Sequence, residues 1–231
     1  MRYGIFSLLC VALLFRAEAI SAEPAEAIPA ALNAALQKNI AHSREWLDQK
    51  DFKSVAQSAG ALHLLAELLK ARSDDSAWQV ATTNLIAAAN SIQSAARDED
   101  ATKCKSALDS LEKASSATTS LKPTGKPQPL ERVPAIRPLM LTLDALQGDA
   151  KVAVLTSNIE AARKQAFVLA ELGKLVSNSR NNDQWSSLAG DFVGAATTAA
   201  NSTESDSKVV RQQFRAVAER CDACHEKNRT R

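Results

Sequence analysis

The sequence predicts an all-α protein built as two tandem four-helix up-down-up-down bundles. Three observations carry that prediction. Alanine, leucine and polar helix formers dominate, while glycine (7), proline (7) and aromatic residues (4%) are scarce in a chain of 231 residues; such a composition favours helices over strands. Apolar residues recur at helical spacing through several segments, and the segments are separated by Asp, Asn and Ser, which cap helix starts. One proline-rich stretch, Lys122-Pro-Thr-Gly-Lys-Pro-Gln-Pro129, interrupts the pattern near mid-chain, and the same plan then begins again.

Met1 to Ala22 reads as a secretory signal: Arg2 is the positive n-region, Ile5 to Phe15 the apolar run, with cleavage positions after Ala19 or Ala22. The apolar run is too short to span a membrane, and no later segment is apolar enough, so no transmembrane segment is expected after cleavage. Cys10 would leave with the signal. Formal net charge is +2, too balanced to point to nucleic acid.

Residues 23–122 are assigned to a first bundle. Pro29 suits a helix start, and Ala30 to Gln49 forms the first helix. Asp51 caps a second helix, in which Val55, Leu62, Leu65 and Leu69 share a face. Asp74-Asp75-Ser76 opens a third from about Trp78 to Ala96. After the charged turn Arg97 to Asp100, a fourth runs from about Ala101 to Ser116. Residues 123–132 are the linker and 133–231 a second bundle. There Pro138 starts a helix to about Thr156, Asn158 caps the next, Asp183 the third, and Ser205 or Asp206 the last.

The halves match as an internal repeat. Leu65-Ala-Glu-Leu68 recurs as Leu169-Ala-Glu-Leu172, Trp78 as Trp185, and Ala87-Ala-Ala-Asn90 as Ala199-Ala-Asn201. Aligning Lys103 with Lys208 sets Ser116, Thr119 and Ser120 against Cys221, Cys224 and His225, and Cys104 against Val209.

Cys221-Asp-Ala-Cys-His225 has the spacing of a c-type haem attachment site. Two thiols become thioethers on the haem vinyl groups, and the adjacent imidazole ligates the iron. On a helix, positions i, i+3 and i+4 share one face, so all three groups reach the macrocycle together. The competing readings are a redox-active cysteine pair, which needs a βαβ setting, and half a zinc site, which needs a second ligand pair. Export agrees with the motif, because bacterial c-type haem is attached outside the cytoplasmic membrane; a periplasmic location follows as an expectation.

In the last helix Val210, Phe214, Val217, Cys221 and Cys224 form one apolar seam that runs into the attachment residues. Phe214 and Val217 are therefore expected to pack below the haem, and His225 to be its proximal ligand. Beyond the initiator, the one methionine is Met140, on a stripe with Ile136, Leu143 and Leu146. The start of helix one lies beside the end of helix four in such a bundle, which makes Met140 the expected distal ligand. Trp185 and Phe192 are read as core. His42, His63 and Cys104 belong to the first half and are read as ordinary surface or buried residues. Lys208, Arg211 and Arg215 form a basic ridge, read as a solvated face or as a docking rim.

The stretch from Asp183-Gln-Trp185 through Asp191-Phe-Val193, Phe214-Arg-Ala-Val217 and Cys221-Asp-Ala-Cys-His225 to Arg229 resembles the C-terminal half of the cytochrome c′ family, including its low-spin c-556-like members. The resemblance implies one covalent haem c per chain, a four-helix architecture, and redox or diatomic-gas chemistry. It also implies a haem-pocket role for Arg229, four places after the histidine, and Met140 as the counterpart of the methionine that low-spin members use. Asn228 departs from it, standing where an aromatic is common, and a whole bundle precedes the haem half. The leading functional expectation is one-electron transfer to an unidentified redox partner protein, without enzymatic activity and compatible with a homodimer. Binding of nitric oxide or carbon monoxide at five-coordinate iron, and a role as haem-bearing docking subunit, are the alternatives. No hydrolytic or transfer constellation is visible.

Overall fold

The computed structural model describes residues 27–130, 135–179 and 182–228. Residues 1–26, which include the stretch read as a secretory signal, lie outside the described residues, as do 131–134 and Arg229. Among the described residues there are eight helices: α1 (Ala27–Asp48), α2 (Phe52–Lys70), α3 (Ser76–Arg97), α4 (Ala101–Ser120), α5 (Ile136–Leu155), α6 (Ile159–Asn178), α7 (Asp183–Ala200) and α8 (Ser207–Asn228). No strand occurs among them, and no helix is long and apolar enough to cross a membrane.

Local chemistry sets the helix starts. The carboxylates of Asp51, Asp75 and Asp100 accept the backbone N–H of Ser54, Trp78 and Lys103, and Asn158 does the same for Ala161. These caps satisfy donors that the first helical turn leaves without partners, each worth about 1 kcal/mol. The cap of α7 is Asn182, one residue before the expected Asp183, with its side chain accepting from Trp185 N at 3.0 Å. Asp206 accepts from Lys208 N at the start of α8. Helix α4 runs four residues past the expected Ser116.

Within each half, consecutive helices pack side by side and the last closes on the first: α4 on α1, and α8 on α5. The halves then join through helix one of each packed on helix two of the other, α1 on α6 and α2 on α5. Buried apolar side chains form one cluster through both bundles, from Leu32, Leu36 and Trp78 to Leu139, Leu169 and Phe192. Glu171, buried at the junction, pairs with Arg72 of the other bundle and with Lys174 at 2.6 Å. Lys38 of α1 reaches Asp149 of α5 at 2.6 Å.

The proline-rich linker is stitched to the turn after α2. Gly125 N donates to Ser73 Oγ, Lys126 N to Asp74 Oδ1 and Gln128 N to Ala71 O, while Asp74 N donates to Lys126 O. Gly125 is required by this close approach, because a Cβ there would run into the Asp74 carboxylate and stand 2.7 Å from Asp75 N.

The internal repeat is visible in three dimensions, with a register that differs from the sequence matches. Trp78 Nε1 donates to Leu69 O at 2.7 Å, and Trp185 Nε1 donates to Val176 O at 2.6 Å. The interval between the tryptophans also separates Lys50 from Ser157, both at φ 56°, and Asp51 from Asn158, both caps. The same interval sets Leu62 and Leu65 on Leu169 and Leu172, so the Leu-Ala-Glu-Leu identity is three places out of register. Asn90 likewise falls on Thr197 rather than Asn201. In the fourth helix the interval shortens by one, since the caps are Asp100 and Asp206. Cys104, Leu108, Leu111, Ser115 and Thr118 then stand at the places of Val210, Phe214, Val217, Cys221 and Cys224. Burial agrees: Ser115 and Thr118 are fully buried, whereas Ser116, Thr119 and Ser120 lie on the exposed side. The residues at the places of Cys221, Cys224 and His225 are therefore Ser115, Thr118 and Thr119.

Candidate functional site

Helix α8 carries its apolar seam as the spacing predicts. Val210, Val217 and Cys224 are buried, and Phe214 and Cys221 are half-buried against the core. Cys221, Cys224 and His225 line one cleft at the end of the second bundle, and Met140 of α5 lines it with them. Met140 is half-buried and next to fully buried Leu139, which anchors the first turn of α5. The start of helix one and the end of helix four thus meet, and a thioether, an imidazole and two thiols share one space.

The cleft is narrow, with a cavity volume of about 40 Å³. Leu143, Val176, Leu188 and Phe192 supply apolar walls. Phe192 reaches its place because α6 carries Gly173 beside it; a Cβ there would stand 2.7 Å from the Phe192 ring and 2.8 Å from Val193. The first bundle has the other combination at these places, Ala66 with the smaller Leu85, both fully buried. Asp144 and Arg220 border the cleft and were not singled out from sequence. Asp144 lies one turn after Met140 on the same face, so helical spacing alone could have found it.

Burial pushes the Cys221 thiol up to about 12, with smaller upward contributions from Asp144, Asp222 and Cys224. A nucleophilic or metal-binding cysteine needs its thiolate, and redox-active pairs hold it by lowering the pKa. Cys221 has the opposite environment. Among the described residues no three His, Cys, Asp or Glu converge as an all-protein metal centre would require, and none of Cys104, Cys221 and Cys224 is in a disulfide. A haem brings four iron ligands of its own and would ask the chain only for further ligands and an apolar slot; His225, Met140, Cys221 and Cys224 are donors of that kind.

Other expected residues fall elsewhere. Phe214 and Val217 line a neighbouring groove between α5 and α8 rather than the cleft. Trp185 is core, tied to α6 through its indole N–H. His63 bonds Asn90 at 2.9 Å, and His42 rests against Trp46 with ring centroids 5.7 Å apart; neither lines the cleft. Cys104 is fully buried, and burial raises its thiol pKa. Compared with family models, curated proteins and solved structures, the chain matches none of them.

Proposed function

We propose that this protein is an exported c-type monohaem cytochrome of the cytochrome c′ and c-556 kind that carries one electron. The observation that carries the reading is the convergence of Met140 with Cys221, Cys224 and His225 on one apolar cleft, from opposite ends of the second bundle's sequence. Bound haem would supply an iron centre that changes between ferric and ferrous by one electron.

The chain's own residues do the rest. Cys221 and Cys224 would anchor the group covalently, and His225 and Met140 would be the chain's ligands to its iron. Leu143, Val176 and Phe192 keep water away, so little solvent has to reorganise when the charge changes. A thioether and an imidazole together would raise the reduction potential and favour low-spin iron.

The test is Met140→Ala in the holoprotein. Ferric iron should pass from low to high spin, the reduction potential should fall, and carbon monoxide should bind faster because no internal ligand has to leave. Absorption spectra, potentiometry and stopped-flow mixing read these out. A parent protein that is already high spin and takes carbon monoxide freely would hand the assignment to the gas-binding reading.

A further inference from the structure

Between α5 and α8 lies a groove of about 500 Å³ that the haem assignment does not use. Its floor is apolar, with Val154, Leu169, Phe214 and Val217, and its rim carries Lys151, Arg211 and Arg215 without a single carboxylate in the lining. Arg215 is partly answered by Glu219 at 3.0 Å, an exposed pair of small value. Leu155 of the groove's own lining is 61% exposed, and Val152 beside it on α5 is 56% exposed. They are two of four large aliphatic side chains so exposed among the described residues, and they stand one helical turn apart on one element. Ala218, the last groove residue on α8, is three residues before Cys221, so the groove ends about 4.5 Å along the helix axis from the first attachment residue.

We infer that this groove is the docking surface for an acidic redox protein. Charge complementarity identifies the occupant: an apolar floor inside a cationic rim matches a projecting apolar contact surrounded by carboxylates, and such a rim steers encounter more than it adds affinity. The groove is concave. A flat anionic bilayer cannot follow its floor, whereas a protruding protein segment can. The exchange balances simply: the reduced partner loses one electron and the ferric cytochrome gains it. The inference rests on the electron-transfer reading.

The test uses the ferric holoprotein and reduced flavodoxin as the acidic protein donor, with uncharged reduced lumiflavin as the small donor. Lys151→Glu and Arg211→Glu together should slow the second-order flavodoxin reaction at low salt by tenfold or more and flatten its salt dependence, and lumiflavin should react at the parent rate. Leu155→Gln should slow flavodoxin alone, by a smaller factor. An unchanged flavodoxin rate overturns the inference, as does an equal loss for Lys113→Glu on the exposed face of α4, which would show a net-charge effect. Binding to phosphatidylglycerol vesicles that the double variant loses while flavodoxin rates stay put would assign the groove to membranes. A high-spin ferric spectrum, read separately, would defeat the electron-transfer reading without touching the docking result.

Discussion

The two bundles share a frame and differ at one end. In the second, Met140 and Asp144 of helix one face Cys224 and Cys221 of helix four across a cleft. In the first, the same four places hold Asn33, Gln37, Thr118 and Ser115, closed by hydrogen bonds. Thr118 Oγ1 donates to Asn33 Oδ1 at 3.1 Å, and Gln37 Nε2 donates to Ser115 Oγ at 2.7 Å. The cores differ to match. Helix α1 packs more closely on α4 than α5 does on α8, and the second bundle's Ala153, Val154, Ala162 and Val210 form a satellite cluster apart from the main core. One helical scaffold therefore supports either a polar seal or an apolar cleft, and a handful of side chains near the ends of helices one and four selects between them.

The largest effect that could break this comparison is on haem stoichiometry. Cys221→Ser with Cys224→Ser should take covalent haem from one per chain to none, counted as the pyridine complex against protein mass. The reciprocal change, Ser115→Cys with Thr118→Cys and Thr119→His, should take it to two. A count that stays at one would break the equivalence of the two fourth helices.

Next in size is the junction. Glu171 is a buried carboxylate at the place where the first bundle has buried Leu64. Arg72→Ala leaves it with Lys174 alone, which should cost about 2 kcal/mol in denaturant unfolding of the whole chain. Adding Glu171→Leu should recover most of that loss, because the unpaired charge is gone.

A smaller effect sharpens the reading of the polar seal. Asn33→Ala removes the Thr118 hydroxyl's partner on helix one and leaves it with Ser115 O at 2.8 Å, and should cost about 1 kcal/mol. Asn33→Leu with Thr118→Val should be close to neutral, since both partners leave together. If the pair change costs more than the single one, the seal is a packing feature rather than a hydrogen-bonded one.

The smallest effect lies in the chain before haem attachment. With its thiol at about 12 instead of the ordinary 9, Cys221 would hold roughly one thiolate in ten thousand at pH 8, against roughly one in ten for an ordinary cysteine. Because the pKa is raised, iodoacetamide modification should stay slow through pH 9 and accelerate toward pH 12. Asp144→Asn should move that profile only slightly, as burial is the larger cause. Rapid alkylation at pH 8 would show that the cleft is open to water.

The sequence by itself determined the helical class, the caps at Asp51 and Asn158, the tryptophan pair and the seam of α8. Each of these rests on interactions within a few residues, or on a periodicity that local geometry imposes. The meeting of Met140 with His225 was also legible, because short connections leave an up-down bundle few ways to arrange its ends. Register between the halves was not. Alanine-rich helices offer many near-matches, and only the buried positions separate Ser115 from Ser116 as the counterpart of Cys221. The tertiary structure alone decided that Phe214 and Val217 face a separate groove, that Glu171 is buried against Arg72, and that the linker is fastened to Ser73 and Asp74. These are contacts between residues far apart in the chain, whose partners are chosen by how whole helices pack, and a one-residue change in the turn before α8 is enough to rotate every side chain on it by about 100°.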